Sequence, residues 1–113
     1  MEVKRLFDIL DRYQKNFSKP DALAAKINGK WVPCSTQEMV DSVNDLANGL
    51  IALGIQKGDK ISLIANNRPE WCFTDFAIQL SGAINVPVYP TISDNDLKFI
   101  LNDAEIKYVF VSS

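Results

Sequence analysis

The sequence predicts an α/β fold: a β-hairpin followed by a three-stranded parallel βαβαβ unit with flanking helices, the N-terminal part of a larger domain. Three observations predict it. Asn28-Gly29 lies between two short apolar-bearing runs, the pattern of a tight hairpin turn. Three further runs, Lys60 to Ala65, Ala83 to Tyr89 and Lys107 to Ser112, are short, apolar and rich in β-branched residues. Each is separated from the next by a stretch of helical periodicity, so the strands are joined by crossovers and run parallel. The last strand has nothing after it, whereas a doubly wound sheet continues with a helix and more strands.

The elements follow in order. Leu6, Ile9, Leu10, Tyr13 and Phe17 recur at helical spacing, with Asp8, Asp11, Arg12 and Lys15 on other faces. This is an amphipathic helix that stops before Ser18-Lys-Pro20. Ala22 to Ile27 and Lys30 to Cys34 are the arms of the hairpin, and Pro33 assigns the second arm to an edge or a strand end. Ser35-Thr-Gln-Glu38 is a capping box, in which the Ser35 hydroxyl accepts from the Glu38 backbone N–H. Met39, Val43, Leu46, Ala47, Leu50 and Leu53 then share one helical face, and Gly54 suits the left-handed residue that ends the helix.

Lys57-Gly-Asp59 turns the chain into the first parallel strand. Asn67 is the expected N-cap of the next helix, paired with Glu70, with Pro69 in the first turn where its missing N–H costs nothing. Phe73, Phe76, Ala77 and Leu80 are its apolar face. Pro87 interrupts the second strand with a residue that cannot donate to a ladder, so a bend or an unpaired position is expected there. Ser93 caps the last helix, whose stripe is Leu97, Ile100, Leu101 and Ala104.

Composition excludes several functions. The chain has 113 residues, 47% hydrophobic and 23% charged, the values of a folded domain rather than a disordered one. A net charge of -2 leaves no electrostatic footprint for nucleic acid. There is no histidine, which removes the commonest general base and metal ligand. Cys34 and Cys72 have no Cys-x-x-Cys partner and read as small apolar residues or, less in keeping with their spacing, one disulfide. The start lacks the apolar core of a signal peptide, and no apolar run approaches the roughly 18 residues of a membrane span, so a cytoplasmic location is expected.

Candidate ligand-contacting residues sit where the strands end, because open α/β sheets bind ligands beyond the carboxyl ends of their strands. After the first strand these are Asn66, Asn67 and Arg68; after the second, Tyr89, Pro90, Thr91 and Ser93. Asn67 is a helix cap or a ligand contact. Arg68 is a solvated or salt-bridged arginine, or a bidentate anion partner. Trp71 packs in the core or lines a pocket. The five glycines are scattered and form no phosphate-binding loop, and no serine has a base beside it in sequence. No residue of the chain is therefore assigned a catalytic, cofactor-binding or metal-ligating role.

Longer stretches carry a resemblance. Gly54-Ile-Gln-Lys-Gly-Asp-Lys-Ile-Ser-Leu-Ile-Ala-Asn66 resembles the opening strand of AMP-forming acyl-CoA synthetases, in the adenylate-forming ligase superfamily. Asn67-Arg-Pro-Glu-Trp71 resembles the long-chain fatty acid–CoA ligases in particular. Gly82-Ala-Ile-Asn-Val-Pro-Val-Tyr-Pro-Thr91 is similar to that family's second strand and turn. Asp96-Leu-Lys-Phe-Ile-Leu-Asn-Asp-Ala-Glu-Ile-Lys-Tyr-Val-Phe-Val111 is similar to its next helix and strand. Trp31 and the helix from Thr36 to Leu53 fit the hairpin and long helix that precede them.

The resemblance implies that residues 1–113 are an incomplete N-terminal portion of the AMP-binding large domain, with the helix and hairpin in 1–34 and an αβαβαβ unit in 35–113. It implies that the whole enzyme activates a carboxylic acid with ATP to an acyl-adenylate and then transfers the acyl group to CoA, with Mg2+ assisting. The Ser/Thr/Gly-rich phosphate loop and the catalytic lysine of that family have no counterpart here, so the isolated chain is expected to be inactive and to bind no cofactor itself. The implied partners are the remainder of the polypeptide, a fatty acid substrate and a second copy in a homodimer, with no nucleic acid; a peripheral membrane association of the whole enzyme is compatible with this. The alternative is a stand-alone binding or interaction module derived from the same family.

Overall fold

The computed structural model describes residues 2–112; Met1 and Ser113, the ends of the expected domain portion, lie outside them. The elements are α1 (Asp8–Asn16), β1 (Leu23–Ile27), β2 (Lys30–Cys34), α2 (Thr36–Ala52), β3 (Lys60–Ile64), α3 (Pro69–Leu80), β4 (Ile84–Val88), α4 (Asp94–Asp103) and β5 (Tyr108–Val111). The α/β class and the order of elements match the expectation.

β1 and β2 pair antiparallel through an Asn28-Gly29 turn with both residues at positive φ (52° and 79°), the geometry of a type I′ hairpin. Pro33 lies opposite Ala24 in this two-stranded sheet, where both strands are edges and the missing donor is tolerated. The other three strands form a parallel sheet in the order β4-β3-β5. Of the two outcomes expected at Pro87, a bend or an unpaired position, the strand shows no break: β4 runs through it as an edge strand of this sheet, where a residue without a donor is tolerated.

The Ser35 hydroxyl accepts from the Glu38 N–H at 3.0 Å and donates to the Glu38 carboxylate at 3.2 Å, so the box at the start of α2 is closed by the two side chains. α2 ends at Leu53-Gly54, with Gly54 at φ 101° as the left-handed residue. The expected stripe of α2 is buried at Met39, Val43, Ala47 and Leu50, but Leu53 is exposed, since it sits on the cap where the helix unwinds.

The core lies between α2, α3 and one face of the parallel sheet. Val43, Ile61, Ala77 and Ile78 are fully buried there, with Tyr108 and Phe110 packed against them. Fully burying each of the larger of these side chains contributes about 1.5–3 kcal/mol. Two expected stripes are weaker than their periodicity suggests. In α1 only Leu10 and Asp8 are buried, while Leu6, Tyr13 and Phe17 remain exposed. α4 has no buried residue at all, and Leu97, Ile100, Leu101 and Ala104 are half-buried. Periodicity reports which residues share a helical face; the neighbouring elements decide how completely that face is covered.

Candidate functional site: the crevice at the strand ends

The strand order locates the site. From β3 the chain crosses to β4 on one side, and from β4 it returns past β3 to β5 on the other. Right-handed crossovers in opposite directions place α3 and α4 on opposite faces of the sheet. The connections therefore diverge between β3 and β5, the topological switch point at which open α/β sheets form a crevice beyond the strand ends.

Two cavities open at that end of the sheet. One, of about 460 Å3, lies between the ends of β3 and β4 and is lined by Asn66, Asn67, Trp71, Val88, Tyr89 and Pro90 among others. The second, of about 330 Å3, lies at the switch point and is lined by Arg68, Glu70, Trp71, Thr74, Phe110 and Ser112 among others. Ala65 and the half-buried Trp71 line both, so the indole stands between them. The Ser112 N–H donates to the Ile64 carbonyl at 3.1 Å, which extends the β3–β5 ladder to the rim of the second cavity.

The α3 N-terminus departs from expectation. Arg68, not Asn67, is the N-cap residue, in extended backbone with no side-chain capping bond, and Pro69 occupies the first turn. The Arg68 guanidinium donates from Nε to Glu70 Oε2 at 3.0 Å instead. Asn67 is thereby left exposed and lines the first cavity with Asn66. Pro69 explains the exchange: a residue before proline is held extended, so Arg68 marks the helix boundary. Glu70's own backbone N–H holds its carboxyl below the usual carboxylate range, and Arg68 adds to that shift. Both side chains of the pair are well exposed, so it contributes at most about 1 kcal/mol.

Of the residues after β4, Tyr89 and Pro90 line the first cavity and Tyr89 is 85% exposed. Thr91 and Ser93 do not line it. The Ile92 N–H donates to the Tyr89 carbonyl to close the turn, and the Ser93 hydroxyl accepts from the Asp96 N–H to cap α4. Cys34 and Cys72 are free and half-buried, and burial pushes both thiols up. Sequence reasoning missed Phe110, Val111 and Ser112 as crevice residues, because their place depends on β5 lying beside β3. Among the described residues no three His, Cys, Asp or Glu side chains come together as a group that could hold a metal ion. No helix of the described residues is long and apolar enough to cross a membrane.

The comparisons with known proteins agree with one another. A family described as AMP-binding enzyme matches residues 13–113. The chain is 36% identical over 87 residues to the long-chain-fatty-acid–CoA ligase FadD15 of Mycobacterium bovis, covering 77% of this chain and 14% of the ligase. It is 32% identical over 77 residues to fatty acyl-CoA synthetase A of Dictyostelium discoideum, covering 68% of this chain and 11% of that protein. The chain thus spans a small fraction of the length of the curated relatives it matches. Among solved structures, the fatty acid AMP ligase from Legionella pneumophila superposes with a TM-score of 0.86 at 15% identity, over 99% of this chain and 20% of that one. A Mycobacterium tuberculosis fatty acyl CoA synthetase gives 0.76 at 29% identity, over 93% of this chain and 21% of that one.

Proposed function

The chain belongs to the AMP-binding enzyme family, and from that premise we propose that it is the N-terminal part of a fatty acid–CoA ligase. The observation that carries this reading is the identity to long-chain fatty acid–CoA ligases across most of the chain. In the whole protein a fatty acid carboxylate attacks the α-phosphate of ATP, forming an acyl-adenylate and releasing pyrophosphate. The CoA thiol then attacks the acyl carbon and AMP leaves. ATP, CoA and Mg2+ bind to residues outside this chain in this reading, and no step of the reaction is assigned to a residue within it.

The contribution of this chain is structural. β3, β4 and β5 extend the sheet that carries the reaction site, and their ends offer the crevice around Trp71. The remainder of the polypeptide is the first partner, and a homodimer the second. The two free thiols suit a reducing compartment, which supports a cytoplasmic place.

The experiment is an assay of palmitoyl-CoA formation and ATP–pyrophosphate exchange on the longer protein and on residues 1–113 alone. The expected result is activity in the former and none in the latter. Exchange catalysed by the 113-residue chain, or a longer protein that makes no acyl-CoA from any fatty acid, overturns the reading. The crevice is tested separately with Arg68→Ala and Tyr89→Phe in the active protein. A role in ligand contact raises KM for ATP or CoA; unchanged dependence on both removes the crevice from ligand binding.

A further inference from the structure

Two outward-facing helices carry opposite charge. Residues 2–19, which hold α1, have five Lys or Arg and three Asp or Glu, although the whole chain is at -2. Residues 94–105, which hold α4, have four Asp or Glu and one Lys.

Beside α1 lies a hollow of about 350 Å3 lined by Val3, Ile9, Arg12, Tyr13 and Phe17. Tyr13 and Phe17 meet edge to face with their rings 6.2 Å apart. The Arg12 guanidinium stands over the Phe17 ring, 5.8 Å from its centre, so the charged head itself is held at the hollow. Arg12 is exposed and forms no ion pair among the described residues.

α4 carries the complement. Phe99 is exposed, and Asp96 and Asp103, three positions before it and four after, lie on the same helical face. Both are exposed, and neither carboxylate forms an ion pair among the described residues. The face is thus an aromatic side chain between two free carboxylates.

We propose that Phe99 of one copy inserts into the α1 hollow of a second copy, with Asp96 or Asp103 on Arg12. Charge selects this pairing. α1 against α1 sets Arg12 and Lys15 against like charges, and α4 against α4 does the same with its carboxylates. The unlike pairing removes the exposed ring from water and gives the guanidinium a carboxylate acceptor. The contact is heterologous: a pair keeps one free α1 and one free α4, so the contact repeats from copy to copy. One helix face in one hollow buries less than the roughly 1,000 Å2 of a stable interface, so the copies exchange. The hollow shares no lining residue with the crevice at the strand ends and stands independently of the ligase reading.

The test mixes unlabelled and heavy-isotope copies of the intact protein and couples amines to carboxylates with a carbodiimide. Peptide mass spectrometry then reads the links that join a light peptide to a heavy one, which only contact between copies produces. Lys15 or Lys19 of one copy is expected to be linked to Asp96 or Asp103 of another. Arg12→Glu is expected to lower that yield about tenfold. Phe99→Ser and high salt are each expected to lower it severalfold. All the altered positions are exposed, so the core is left intact. Copies with Arg12→Glu and copies with Asp96→Lys and Asp103→Lys, each poorly linked alone, are expected to regain links when mixed.

Absence of α1–α4 links between light and heavy copies overturns the proposal. Links that survive Arg12→Glu and Phe99→Ser unchanged do the same, as does failure of the mixed variants to link. Links from Lys15 to Asp11 of another copy assign the hollow to a symmetric α1 pair. Shielding of Lys15 and Lys19 by phosphatidylglycerol vesicles, with no link between copies, assigns it to a lipid surface. Either result replaces the contact with α4. Because the readout is contact between copies rather than turnover, its failure is distinguishable from failure of the ligase reading.

Discussion

At the scale of single residues, Asp8 shows how one carboxylate organises a chain start. It is 7% exposed and accepts from the backbone N–H groups of Lys4 and Arg5 and from the Arg5 guanidinium at 2.8 Å. The Arg5 side chain, then the backbone donors, bring its carboxyl from a usual value of 3.8 down to about 2. A carboxylate with a lowered folded-state value stabilises the fold above its unfolded value and loses that contribution as pH falls through the folded one. Asp8→Asn is therefore expected to lower Tm at neutral pH. The difference from the parent shrinks as pH falls from about 3.8 to about 2 and is gone below that window, as thermal unfolding followed by circular dichroism will show. A difference that stays constant down to the acid limit contradicts the ionic role. The same scale explains Arg68 and Asn67: a single Pro69 moved the helix boundary by one residue and changed which side chain faces the crevice.

At the scale of elements, α2 and α4 have the same kind of cap and opposite surroundings. Ser35 caps a helix with six buried residues, and Ser93 caps one with none. Removing the hydroxyl from an N-cap costs about 0.5–2 kcal/mol of helix stability. Ser35→Ala should therefore lower the midpoint of the whole urea transition, since α2 is part of the core. Ser93→Ala should mainly speed hydrogen exchange in α4 and leave the global midpoint nearly unchanged, because local opening there exposes little apolar surface. Equal midpoint losses in the two variants would show α4 to be as tightly coupled to the core as α2.

At the scale of the whole molecule, one face of the parallel sheet is covered by the core and the other only in part: Ser62 and Val88 are buried there, but their apolar neighbours are not. Strand register sets Ile61, Tyr108, Leu63 and Phe110 on the side of the core. Ile84, Val109 and Val111 lie in the rows of the other face and are 49%, 41% and 70% exposed. Phe99 on α4 is 66% exposed. An apolar face of this kind, beside the open edge of β5, drives association when nothing covers it. Residues 1–113 by themselves are expected to self-associate in sedimentation velocity at high concentration, and Val109→Lys with Val111→Lys should return the chain to monomer. A monomeric parent at the same concentration rules this out.

Local chemistry makes much of this protein legible from its residues alone. The Asn28-Gly29 turn, the Ser35 and Ser93 caps and the Gly54 helix end depend on residues within four positions of each other, and each forms as the sequence implies. The stretches from Gly54 to Val111 suffice to place the family. The crevice is legible only in part, at Asn66, Asn67, Arg68, Trp71, Tyr89 and Pro90. Its other half, Phe110 to Ser112, depends on the order β4-β3-β5, which no local pattern encodes because a parallel crossover can return on either side of its first strand. Burial is likewise a tertiary outcome: Leu6, Leu53 and Phe99 carry the apolar character of core residues yet stay exposed, since hydrophobic periodicity names a face and only packing supplies the partner that removes it from water.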